Sequence, residues 1–90
     1  MPYIEQHDRV TVDEFVDPLV KFIAEVSSLS VGEMNYIITR IVQAQIKRRG
    51  EHYADYESML GRLEAVKLEW HRRVMAPYED GKCRQNGDVF

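Results

Sequence analysis

Apolar residues recur every three or four positions in three successive segments of this chain, which is the spacing of helices that bury one face. The middle segment has the clearest boundaries. Ser30 and Glu33 form a capping box at its start, and Gly50 follows a basic last turn at its end. The sequence therefore predicts an all-α fold with one helix over residues 31–49.

The first segment is interrupted by Pro18, whose ring excludes the usual hydrogen bond inside a helix. One interpretation begins the helix at Thr11, with Glu14 completing a capping box. The simpler one makes Asp17 the N-cap and Pro18 the first helical residue, preceded by a separate turn. We favour the second and predict a short helix over residues 17–28. The apolar face of the whole segment consists of Phe15, Val16, Leu19, Phe22, Ile23 and Val26.

The third segment predicts a helix over residues 55–76, with Asp55 as N-cap and Ala76-Pro77 as its end. The short connection before it makes the second and third helices a long antiparallel hairpin, with the first helix packed across it. Residues 77–90 are predicted to be an ordered, non-helical tail. The chain there ends on Val89 and Phe90, which we expect to dock on the hairpin or on a neighbouring subunit.

Gly61, Ala65 and Leu68 form a second stripe on the third helix, away from its main apolar seam. Glycine in mid-helix costs up to about 1 kcal/mol relative to alanine, so a fold accepts it where two backbones approach closely. That approach would lie either within the monomer or between subunits. Because ninety residues supply little core, we predict a homo-oligomer with this strip as its interface.

No constellation in the sequence indicates catalysis or a metal site. His7, His52 and His71 lie in different segments without ligand spacing, and Cys83 is the only cysteine. We therefore expect no enzyme activity, no cofactor and no metal. No apolar run is long enough to span a bilayer, and a cytoplasmic protein is the default expectation. The net charge of −3 argues against nucleic acid as a partner.

Charge is nevertheless distributed unevenly along the chain. Residues 1–39 carry seven acidic side chains against two basic ones, whereas residues 40–73 carry eight basic against five acidic. Such asymmetry suits head-to-tail packing of subunits or the binding of an anionic ligand, although a solvated surface of mixed charge is the more common explanation.

Several strings together resemble a family of small uncharacterised proteins from bacterial and phage genomes. They are Pro2-Tyr3-Ile4, Asn35-Tyr36 with Thr39-Arg40, Gly61 to Glu69, Arg72-Arg73, Ala76-Pro77-Tyr78-Glu79-Asp80 and Asn86-Gly87-Asp88-Val89-Phe90. The resemblance covers nearly the whole chain, which departs from it by ending in phenylalanine where the family has tyrosine. It implies no activity.

The family pattern retains polar residues that folding does not require. Arg72, Arg73 and Lys67 are suited to phosphate, and Tyr36, Asn35 and Tyr78 could line a ligand pocket beside them. We favour first the alternative that Asn35, Thr39 and Glu64 form a structural network that ties the tail to the hairpin, and place the ligand pocket second. We expect a self-associating helical binding protein that sequesters an anionic small molecule such as a signalling nucleotide. The alternative is an adaptor or inhibitor that docks on a host protein.

Overall fold

The computed structural model describes residues 2–90, and those residues contain helices and no strand. Helix α1 spans Gln6–Glu25, α2 spans Val31–Arg49 and α3 spans Tyr53–Trp70. A π-helical turn, His71–Met75, then leads without a break into α4, Ala76–Asn86. The all-α prediction is confirmed.

Helix α2 has the predicted bounds for the predicted reasons. The Ser30 side chain accepts a hydrogen bond from the Glu33 amide at 3.1 Å, and the Glu33 carboxylate accepts one from the Ser30 amide at 2.9 Å. The hydrogen bond from the Ser30 amide lowers the pKa of the Glu33 carboxyl, with a smaller contribution from the Ser30 side chain. At the other end, Gly50 adopts a φ of 139°, which a residue with a side chain rarely tolerates.

The predicted start of the first helix at Asp17 is wrong. Helix α1 begins at Gln6, after the extended N-cap Glu5, and runs through Pro18 to Glu25. Its apolar periodicity continues on both sides of the proline, and the fixed φ of proline is itself helical. The loss of one backbone hydrogen bond at Pro18 therefore has less influence on the helix than the apolar periodicity on both sides of it.

The prediction of a non-helical tail is also wrong, because the chain stays helical as far as Asn86. Ala76 keeps helical angles before Pro77, and its amide donates to the carbonyl of His71, five residues back. The wider π turn provides room for a proline ring that would otherwise clash with the carbonyl four residues earlier. Gly87, with a φ of 93°, then ends α4.

The helices are spread apart instead of packed. Helices α2 and α3 approach each other near their connecting loop and line one open groove. Helix α1 does not pack across this hairpin: none of its Cα atoms comes within 8 Å of another helix. The radius of gyration is 17.0 Å, where a compact chain of this length would have about 12 Å. No helix in the described part is long and apolar enough to cross a membrane.

Candidate functional site

The apolar faces of the helices are the main candidate site, because the single chain leaves them in solvent. Among the described residues only Ile46 is a buried hydrophobic side chain, at 7% exposure. The accessible surface is 8292 Å², whereas a compact 10.6 kDa protein would expose about 5,500 Å². The chain thus leaves about 2,800 Å² uncovered that an ordinary domain of its mass would bury.

The first apolar surface is the groove between α2 and α3. Its walls are Ile38, Ile41, Val42 and Gln45 on α2 and Met59, Arg62, Leu63 and Val66 on α3. Ile41 and Val66 each remain 62% exposed although they face the same groove. The apolar seams of α2 and α3 therefore face each other, but the space between them remains open.

The predicted strip of Gly61, Ala65 and Leu68 forms a second apolar surface on the opposite side of α3. All three residues are exposed. A Cβ atom added at Gly61 would meet nothing within 4 Å, so close packing inside the monomer does not explain this glycine.

The six residues predicted to bind a ligand are all exposed and are not gathered into one pocket. Asn35 and Tyr36 lie on α2 and line separate clefts. Lys67 is near the end of α3, Arg72 and Arg73 are in the π turn, and Tyr78 is in α4.

Most of these side chains instead make contacts within their own helix. Lys67 contacts Glu64 at 3.1 Å, and Lys82 lies 5.7 Å from the ring centre of Tyr78. Arg40 lies 5.9 Å from the ring centre of Tyr36. Each of these is a pair of residues three or four positions apart on an exposed helical surface, which contributes a few tenths of a kcal/mol.

The predicted polar network between hairpin and tail is wrong. The Thr39 hydroxyl donates to the Asn35 side chain at 3.4 Å, a contact one turn apart within α2. Glu64 pairs with Lys67 within α3. Val89 and Phe90 are exposed in the single chain, so they do not dock on the hairpin as predicted.

One long-range polar contact was missed by the sequence analysis. The Tyr3 hydroxyl donates to Oε1 of Glu69 at 3.1 Å, and Nε of Arg72 donates to the same oxygen at 3.1 Å. The Arg72 hydrogen bond lowers the pKa of Glu69, with a smaller contribution from the Tyr3 hydroxyl and from the charges of Arg72 and Arg73. Glu69 raises the pKa of Arg72 in return. The Pro2-Tyr3-Ile4 string contained the available signal, but nothing in the sequence identified Glu69 as its partner.

Near the N-terminus, Glu5, His7 and Asp8 place three donors of the metal-binding type within 4.8 Å of one another. All three side chains are exposed. The two nitrogens of His7 each lie 3.3 Å from a carboxylate oxygen, one of Glu5 and one of Asp8. Exposed acidic groups of this kind are ordinary surface features.

Comparison with known proteins identifies the family of this chain. The model of DUF6899, a domain of unknown function, matches residues 1–89. The chain belongs to this family. Neither the curated proteins nor the solved structures contain a significant match. This member of the DUF6899 family is an open helical frame with exposed apolar surfaces.

Proposed function

We propose that this DUF6899 protein is a non-enzymatic helical binding protein whose subunits complete one another's hydrophobic core. The observation that carries the proposal is the exposure of nearly every apolar side chain in the described chain, with Ile46 the buried exception. Monomeric soluble proteins rarely expose contiguous apolar patches of more than a few hundred Å². A chain left with about 2,800 Å² of excess surface gains more by association than by remaining alone.

The size of that excess also indicates how association would occur. A standard interface covers about 800 Å² per partner, and obligate interfaces cover more and are more apolar. One standard interface would leave most of the excess exposed. Two surfaces on each chain, the α2–α3 groove and the strip at Gly61, would account for a larger share.

We further propose that the assembly binds an anionic small molecule, with a signalling nucleotide as the sharpest form of the hypothesis. Arg72 and Arg73 support this part, because they are consecutive cations on the exposed π turn. The residues proposed to bind the ligand lie on four helical segments, so a site that uses several of them would be formed between subunits. A cytoplasmic protein of bacterial or phage origin is the setting in which we place this role.

Diluting the protein while its helix content is followed by circular dichroism tests the proposed association. A protein whose subunits share a core unfolds at a lower temperature when diluted, because its stability depends on protomer concentration. We expect the melting temperature to fall steadily over a roughly thousandfold dilution. A melting temperature that does not depend on concentration would contradict the proposal.

The ligand is tested separately by thermal shift of the assembled protein against a panel of nucleotides. A ligand at 100 times its dissociation constant adds about 2.7 kcal/mol of stability. Substituting Arg73→Gln should abolish the shift, whereas Arg84→Gln, which alters a cation on α4, should retain it. If no nucleotide shifts the protein, the ligand proposal fails and the proposal of association is unaffected.

A further inference from the structure

Helix α1 has an apolar face that no helix packs against closely, although Leu19 and Phe22 line an open cleft with the start of α2. Its Cα atoms all lie more than 8 Å from those of the other helices. Phe15 is 76% exposed, and Val16, Leu19 and Phe22 on the same face are also exposed. An amphipathic helix gains most of its stability from packing this face, so an isolated α1 requires a partner surface.

The groove between α2 and α3 is an apolar surface that no helix of the same chain fills. Both of its walls are mainly apolar, with Gln45 and Arg62 the polar members, and residues from Ile38 to Gln45 face residues from Met59 to Val66 across open space. Amphipathic helices bind apolar grooves through residues at positions i, i+3, i+4 and i+7. Val12, Phe15, Val16, Leu19 and Phe22 have this spacing along α1.

The net charges of the helices favour this pairing. Helix α1 carries five acidic and two basic side chains, a net charge of −3, whereas α2 carries one acidic and four basic side chains, a net charge of +3. The α2 residues that line the groove are uncharged, and Arg62 supplies a cation on its α3 wall. Opposite net charge on α1 and α2 speeds their encounter and disfavours the pairing of either helix with itself.

The α1 helix of the same chain does not occupy this groove: no α1 residue lines it, and no α1 Cα atom lies within 8 Å of α2 or α3. At its start, Tyr3 is hydrogen-bonded to Glu69 near the end of α3. At its end, the loop of residues 26–30 separates it from α2. The groove is therefore open to the same helix of a second copy.

We infer that the α2–α3 groove is the binding site for helix α1 of a second copy of this chain, which presents the face of Phe15, Val16, Leu19 and Phe22. The inference rests on the self-association proposed above and specifies its contact. If two chains exchange the contact reciprocally, each α1 is covered and each groove is filled. One two-fold arrangement would then cover both apolar surfaces, the α1 face and the α2–α3 groove, in each chain.

Cross-linking between differently tagged chains tests this contact directly. Both chains carry Cys83→Ser; one carries Val16→Cys and the other Val66→Cys, and the mixture is treated with a short bis-maleimide. The matched control replaces Val16→Cys with Lys21→Cys, which lies on the opposite side of α1. We expect a covalent product containing both tags with Val16→Cys and little with Lys21→Cys.

Equal yields from the two pairs, or no mixed product from Val16→Cys, would overturn the inference. Sedimentation of the same samples separates the two claims. If the protein is an oligomer without the specific cross-link, the groove contact is wrong and self-association stands. If the protein is a monomer, both fail.

A second pair of variants tests the same face without cross-linking. Val16→Asp places a charge on the apolar face of α1, and Val10→Asp makes the same substitution on the opposite side. We expect Val16→Asp to weaken association by more than tenfold and Val10→Asp to change it by less than threefold. Similar losses in both variants would contradict a contact specific to the apolar face.

Discussion

The hydroxyl of Tyr3 donates a hydrogen bond to Oε1 of Glu69, which joins residues 66 positions apart in the chain. Arg72 binds the same carboxylate from the next turn through two of its guanidinium nitrogens. The Glu69 side chain is 20% exposed, whereas that of Arg72 is 65% exposed. This contact joins the segment before α1 to the end of α3.

Titration should detect this contact. Because the Arg72 hydrogen bond lowers the pKa of Glu69 below its ordinary value of 4.5, the contact stabilises the fold above that value. The stabilisation is lost as the pH falls through the lower, folded-state pKa. We expect the Glu69 carboxyl carbon to titrate in NMR below pH 4.5, and Arg72→Leu to raise its midpoint. A midpoint unchanged in Arg72→Leu would contradict the assignment.

Removing the hydroxyl should loosen the N-terminus without disturbing α2. Tyr3→Phe retains the ring and removes only the donor to Glu69. We expect faster hydrogen exchange of the backbone amides at the start of α1, since the segment before it loses its long-range tie. Exchange within α2 serves as the internal control. The same exchange rates in both proteins would mean that the contact does not restrain the N-terminus.

Pro18 should limit the stability of α1. It lies inside the helix, where it cannot donate the backbone hydrogen bond that other residues make. Pro18→Ala is expected to raise the free energy of unfolding by up to about 3 kcal/mol, measured by urea denaturation at fixed protein concentration. Pro2→Ala, before the first helix, is the control and should have little effect. A loss of stability in Pro18→Ala would show that the proline is required.

Gly61 should respond to alanine differently from another helical glycine. In an exposed helix, Gly→Ala stabilises by about 0.5–1 kcal/mol. Gly81→Ala should show this gain, because a Cβ there meets only the end of Arg84, at 3.9 Å. If subunits pack through the strip, Gly61→Ala should lose the gain in the assembled protein and recover it on dilution. Equal gains at every concentration would exclude the strip as an interface.

The sequence predicted best where signals at both ends of an element agreed. Helix α2 has a capping box at one end and Gly50 at the other, and its bounds were correct. Helices α1 and α4 were misjudged because a single proline was read as a boundary. Helical periodicity outweighed Pro18. At Pro77 the helix continues because a π turn accommodates the ring, and no local sequence pattern predicts that turn.

The surfaces were predictable in part. Periodicity identified which side chains share a face, and Gly61 marked a strip that is indeed exposed. The contact between Tyr3 and Glu69 could not be predicted, because it depends on how two distant ends of the frame meet in space. For the same reason, the ligand residues chosen by chemical type were not brought together by the fold of one chain.

Sedimentation equilibrium of the unmodified protein tests the central claim most directly. We propose that one chain cannot cover its own apolar surface and that the subunits of an assembly cover one another's. It predicts a mass that is a multiple of 10.6 kDa at micromolar concentration. A folded, helical protein that sediments as a single 10.6 kDa chain over the whole accessible concentration range would contradict it.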